Sequence, residues 1–113
     1  MTVKSPGVSW TPTPGSLRYH LYRGDMMVLR SQGFYTQDAT SGPNAARFCG
    51  LNSPQTDDGY IPPVGQVVFY MVTSDNGAIE GSLGVTSAGV PRPNDHPCGV
   101  TQETQTGSPR KTR

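Results

Sequence analysis

Few residues in this sequence have chemistry to offer: two cysteines, Cys49 and Cys98, two histidines, His20 and His96, eight carboxylates, and the tripeptide Arg23-Gly24-Asp25. A hydrolytic triad needs a nucleophile, a base and an orienting acid. Serines abound, but His20 falls on the expected outer face of a strand and His96 in a proline-rich extension. No glycine-flanked serine elbow is present, so no catalytic residue is expected. Neither histidine shows paired ligand spacing with a cysteine, so no zinc site is expected. Asp57, Asp58, Asp75, Glu80 and Asp95 offer oxygens for calcium, but they form no EF-hand loop, and the paired Asp57-Asp58 reads as a solvated turn. The glycines at 81–89 lack the strand-to-helix setting and the lysine of a phosphate loop. No metal or other cofactor is therefore expected.

Two further features invite a binding function. Arg23-Gly24-Asp25 spells the integrin-binding tripeptide, which works from a mobile exposed loop; here Arg23 ends a strand and Asp25 is placed to cap the next turn. The structural reading is preferred. Tyr22, Phe34, Tyr35 and Tyr60 are candidates for an exposed aromatic platform that would take a carbohydrate, although a chain so poor in apolar residues needs some of them in its core. The two cysteines suit a single disulfide, because small Gly/Pro-rich domains often lack enough core to be stable unaided; two buried free thiols are the alternative. A bridge would close a 49-residue loop, worth about 4 kcal/mol on the chain-entropy model.

The elements that must carry these residues are β-strands. Of 113 residues, 14 are glycine and 11 proline, and only 33% are hydrophobic, which excludes a helix bundle, a coiled coil and a membrane-spanning helix. Formal charge is +1, too near balance for electrostatic capture of nucleic acid. Arg110, Lys111 and Arg113 read as a solvated tail. Residues 2–10 lack the apolar run of a signal peptide, so the expectation of a secreted or cell-surface location rests on the cysteines.

Period-2 patterning places strands at 8–11 and 17–23, with Leu17, Tyr19 and Leu21 facing the core and Arg18, His20 and Tyr22 facing out. After Gly24, residues 25–30 read as a helical turn capped by Asp25 or as a short edge strand, ended by Gly33 in either case. Residues 36–46 read as a long loop, and 56–58 as a weak strand. Residues 66–74 are apolar on both faces and should form the middle strand of the larger sheet. Asn76-Gly77 then turns into a strand over 78–85, and Pro91, Pro93 and Pro97 keep the chain extended to Cys98. The whole reads as an all-β fold, a small antiparallel sandwich.

Three stretches resemble a fibronectin type III module: 8–15 its second strand and turn, 19–23 its third strand, and 69–76 with Gly81 its sixth strand and following turn. Residues 61–65 and 80–84, Ser87-Ala88-Gly89 and Arg92-Pro93-Asn94-Asp95-His96-Pro97-Cys98 are similar to the closing segment of such modules in secreted bacterial multidomain proteins. That resemblance implies a Cys49–Cys98 bridge. It also implies a first strand of about ten residues where only seven precede Val8, so that strand is short or missing.

The expected organisation is an arm or partial first strand at 1–7, a sandwich at 8–98, and a polar, basic tail at 99–113. A sandwich short of an edge strand leaves backbone groups that another chain can satisfy. The expected partner is a second copy, through Thr2, Val3 and Lys4 at one end and Val100, Thr101, Gln102 and Thr104 at the other. The expected role is a non-catalytic, self-associating extracellular subunit that forms filaments or surface assemblies. The alternative is an accessory or ligand-binding module of a larger secreted enzyme or adhesin, with carbohydrate or another surface ligand as its target.

Overall fold

The computed structural model describes residues 2–4, 7–99 and 101–102. Strands β1 (Thr2–Lys4), β2 (Gly7–Ser9) and β5 (Gln55–Asp57) form a small sheet in the order β1-β2-β5. Strands β3 (Arg18–Asp25), β4 (Ala46–Leu51), β6 (Val68–Asp75), β7 (Ile79–Glu80) and β8 (Thr101–Gln102) form a larger one in the order β4-β3-β6-β7-β8. The fold is the expected all-β sandwich, and β6 is the middle strand of the larger sheet. The first strand is present but only three residues long. Among the described residues the strand pairings are antiparallel except that of β7 with β8, which is parallel.

One short helix, α1 (Met26–Gln32), interrupts the strands, and its ends explain its position. Asp25 sits at the N-cap with extended backbone, and its carboxylate accepts from the Met27 N–H at 2.8 Å. Gly33 ends the helix in the left-handed conformation, φ 76°, with its N–H on the Leu29 carbonyl. Of the two readings open for this segment, the helix is the one adopted.

The core departs from simple alternation. One face of β3 and β6 turns toward the small sheet: Tyr19 meets Trp10 edge-on at 5.6 Å, and Arg23 and Tyr70 both reach Asp58 beyond β5. The opposite face, expected to be solvated, is covered. Residues 91–98 cross it and tie down at Arg47, which donates to the Pro97 carbonyl at 2.7 Å, and at Cys49, bonded to Cys98 with the two Cα atoms 5.7 Å apart. His20 and Tyr22 are buried as a result, while Leu17, expected in the core, is 65% exposed. It precedes the ladder, beside the Asn76-Gly77 turn, where nothing packs over it.

The strand expected over 78–85 shrinks to Ile79–Glu80, with one isolated bridge between Val85 and Pro91. Gly81 and Gly84 lie in this stretch and Gly89 just beyond it, and Gly84 and Gly89 have φ near 80°, a conformation no regular ladder accommodates. Among the described residues the buried apolar side chains are Val8, Tyr19, Leu21, Tyr22, Ala45 and Leu83. Buried polar ones are at least as prominent, and every one of them needs a partner.

Candidate functional site

Two features of the sandwich could carry function: its buried polar clusters and its chain-terminal edge strands. The first cluster lies where β3 runs into α1. Arg23 Nε donates to the Asn44 carbonyl at 2.8 Å, and its Nη1 contacts both Asp58 oxygens at 2.8 Å. The guanidinium also lies 3.8 Å over the Tyr60 ring, a cation–π contact. Gln37 accepts from the Asp25 N–H and donates to the Asp25 and Phe34 carbonyls. Asn44 donates to Asp25 Oδ2 at 3.0 Å and to Gln66 Oε1 at 2.6 Å, and accepts from the Tyr60 hydroxyl.

Burial alone would raise the Asp58 pKa, but hydrogen bonds from Arg23 and Tyr70 and the adjacent positive charge outweigh it and hold the carboxyl below its usual range. Burial and the neighbouring Asp58 push Tyr70 up to about 12. This cluster contains the whole Arg23-Gly24-Asp25 tripeptide. Arg23 and Asp25 are 7% and 9% exposed, and a methyl group at Gly24 would lie 2.5 Å from the Phe69 ring. Its residues hold the fold together and are not displayed.

A second cluster centres on Glu80, which is fully buried on β7. It accepts from the hydroxyls of Tyr22 and Thr73 and, on its other oxygen, from Gln102 Nε2 at 2.7 Å. The Gln102 carbonyl oxygen in turn accepts from Asn94 at 2.9 Å. Burial, then Glu80, drives the Tyr22 phenol well above its ordinary range, so Tyr22 stays a donor.

The third cluster resembles two-thirds of a triad. His20 Nε2 lies 2.9 Å from Asp75 Oδ2, and Nδ1 accepts from the Gly50 N–H at 3.0 Å, so both imidazole nitrogens are occupied. The Asp75 carboxyl is raised by burial but lowered more by His20, the Gly77 N–H and Arg18, and so lies below its usual range.

The carboxylates considered for calcium are dispersed: Asp58 to Arg23, Asp75 to His20, Glu80 to hydroxyls and an amide. The aromatic platform is likewise divided. Tyr22 is buried, Phe34 packs edge-on against His96 at 4.9 Å, Tyr35 lies under Arg92, and Tyr60 lies under Arg23.

Each terminal segment forms one edge of a sheet, the opposite edges being β5 and β4. β1 is the outer strand of the small sheet, with Thr2 opposite Ser9, Val3 opposite Val8 and Lys4 opposite Gly7. Beside it an open cleft of about 460 Å³ is lined by residues including Thr2, Val8, Ser9, Gln55 and Asp57. β8 is the outer strand of the larger sheet, with Thr101 opposite Ile79 and Gln102 opposite Glu80. Val100 and Thr104 lie outside the described residues.

No protein-family model, curated protein or solved structure matches this chain. Its function must therefore be argued from its own geometry. Sequence reasoning found the cysteine pair; it missed the burial of Gln37, Asn44 and Glu80, polar residues whose burial leaves no mark in periodicity. Among the described residues no helix is long and apolar enough to cross a membrane, and the bonded cysteine pair is compatible with an extracellular location.

Proposed function

We propose that this chain is a non-catalytic, extracellular structural module of the fibronectin type III-like kind, which self-associates by β-strand addition. The observation that supports this reading is the position of the terminal segments: β1 and β8 are open edges of different sheets. Each presents a row of backbone groups without a strand on its outer side among the described residues, the usual template for strand addition. Contact between the C-terminal edge of one copy and the N-terminal edge of the next joins unlike surfaces, and such head-to-tail contacts extend into a filament when the rotation does not close. β8 pairs with its own β7 at two register positions, and its Gln102 bonds the buried Glu80 and Asn94, so exchange of this segment between copies requires the incoming strand to restore those bonds.

Sedimentation velocity and negative-stain microscopy over a concentration series test the reading. Concentration-dependent, elongated particles are expected, lost on deleting residues 99–113 and inhibited by a synthetic 99–113 peptide. A monodisperse 12 kDa species at every concentration would refute it.

A further inference from the structure

His20 lies on β3, Cys49 on β4 and Cys98 at the end of the extension that crosses them. One ligand atom from each, an imidazole nitrogen and two sulfurs, lie within 4.8 Å of one another. The imidazole is oriented from behind. Because Nδ1 accepts from the Gly50 N–H, the ring proton is on Nε2, which donates to Asp75 Oδ2 in a pair almost closed to solvent. Arg18 Nη2 stands 3.4 Å from the same oxygen. A neutral imidazole whose far N–H is held by a carboxylate is the arrangement that orients metal-ligating histidines and raises their basicity. Nδ1, the nitrogen not bonded to the carboxylate, is the one with a lone pair to offer a metal.

We propose that reduction of the Cys49–Cys98 disulfide converts this cluster into a Cys2His site for a thiophilic divalent cation of the zinc type. The metal then replaces the covalent bond in holding residues 91–98 to β4. The chemistry balances with a phosphine as reductant: the phosphine gains the oxygen of one water and becomes its oxide, and the two sulfurs take that water's protons. Each thiol gives up its proton as it binds the cation, His20 Nδ1 supplies a lone pair, and a water completes a tetrahedral shell.

Two features of the surroundings favour this. Cys49 is exposed, so reductant and cation have a path in. Gly50, whose N–H gives up its acceptor when Nδ1 binds metal, is also exposed and can bond water instead. Two thiolates at about 2.3 Å from a tetrahedral ion stand about 3.8 Å apart, within reach of cysteines whose Cα atoms are 5.7 Å apart.

The test compares the oxidised chain with chain reduced by phosphine and desalted under argon. Cobalt(II), a spectroscopic stand-in for zinc, should give one equivalent of thiolate charge-transfer and tetrahedral d–d absorption with the reduced chain and none with the oxidised one. X-ray absorption of the zinc-loaded reduced chain should show two sulfurs at about 2.3 Å and one imidazole nitrogen at about 2.0 Å. Asp75→Asn should weaken zinc binding by about 10- to 100-fold through the histidine it orients. Equal cobalt binding by the oxidised chain, no binding by the reduced one, a sulfur-only spectrum, or a reduced chain that stays unfolded with metal present would each overturn the proposal. The spectroscopy is read on the unaltered sequence and does not depend on any variant folding.

Discussion

Replacing Arg23 by alanine should cost this small domain much of its stability, because the guanidinium serves three partners at once. Truncation leaves the Asp58 carboxylate, whose side chain is 7% exposed, without its counter-ion, the Asn44 carbonyl without its donor, and the Tyr60 ring without its cation. Removing one partner of a buried pair costs about 3–5 kcal/mol, because the remaining charge is stranded. Arg23→Lys keeps the charge but cannot bond the Asn44 carbonyl and both Asp58 oxygens together, so about 1.5–3 kcal/mol should be lost. Urea unfolding followed by tryptophan fluorescence measures this. With a slope of about 1.5 kcal/mol/M, the alanine variant's midpoint should fall by roughly 2–3 M.

Acid supplies a second reading of the same contact. The Asp58 pKa is lowered by folding, so its contribution is fully present above the unfolded carboxylate value of about 3.9 and is lost as pH falls through the lower folded value. The gap in stability between the wild-type chain and Asp58→Asn should therefore narrow below about pH 4. A loss under about 1 kcal/mol in Arg23→Ala, or Arg23→Ala and Asp58→Ala effects that simply add, would refute the claim that the tripeptide's arginine is a structural clamp.

Other outcomes follow from the same geometry. Cys49→Ser/Cys98→Ser should lose about 4 kcal/mol, the chain-entropy value for a 49-residue loop, and calorimetry should show the melting temperature falling by well over 10 °C. Gly24→Ala should destabilise by about 1–3 kcal/mol by chemical denaturation, since the added methyl meets the Phe69 ring; a more stable variant would mean the ring moves aside freely. Tyr22 and Tyr70 have phenols raised above the ordinary value near 10, so their contribution is present below about pH 10 and lost as pH rises through the folded values. Alkaline unfolding monitored at the phenolate band should show a fall in stability between pH 10 and 12 that is reduced in Tyr22→Phe and Tyr70→Phe.

The sequence by itself determined the class of fold. Glycines and prolines exclude long helices, alternation marks β3, an apolar run on both faces marks β6 as the middle strand, and Asp25 and Gly33 bracket the helix between them. These are local signals, set by backbone sterics and by the period of the side chains. It also paired the cysteines, from composition and from a resemblance to disulfide-linked modules.

Only the tertiary structure decided which polar residues are buried and what they do. Alternation assigned His20 and Tyr22 to solvent because nothing local announces that residues 91–98 will return across that face, pinned by Cys98 and Arg47. The partners of Glu80, Asn44 and Gln37 are mostly remote in sequence, and a buried polar side chain is defined by its partners, not by its neighbours along the chain. For the same reason the sequence spacing gave no hint of His20 beside the two sulfurs. Three strands and an extension had to converge before an imidazole, a carboxylate and a disulfide could share one site.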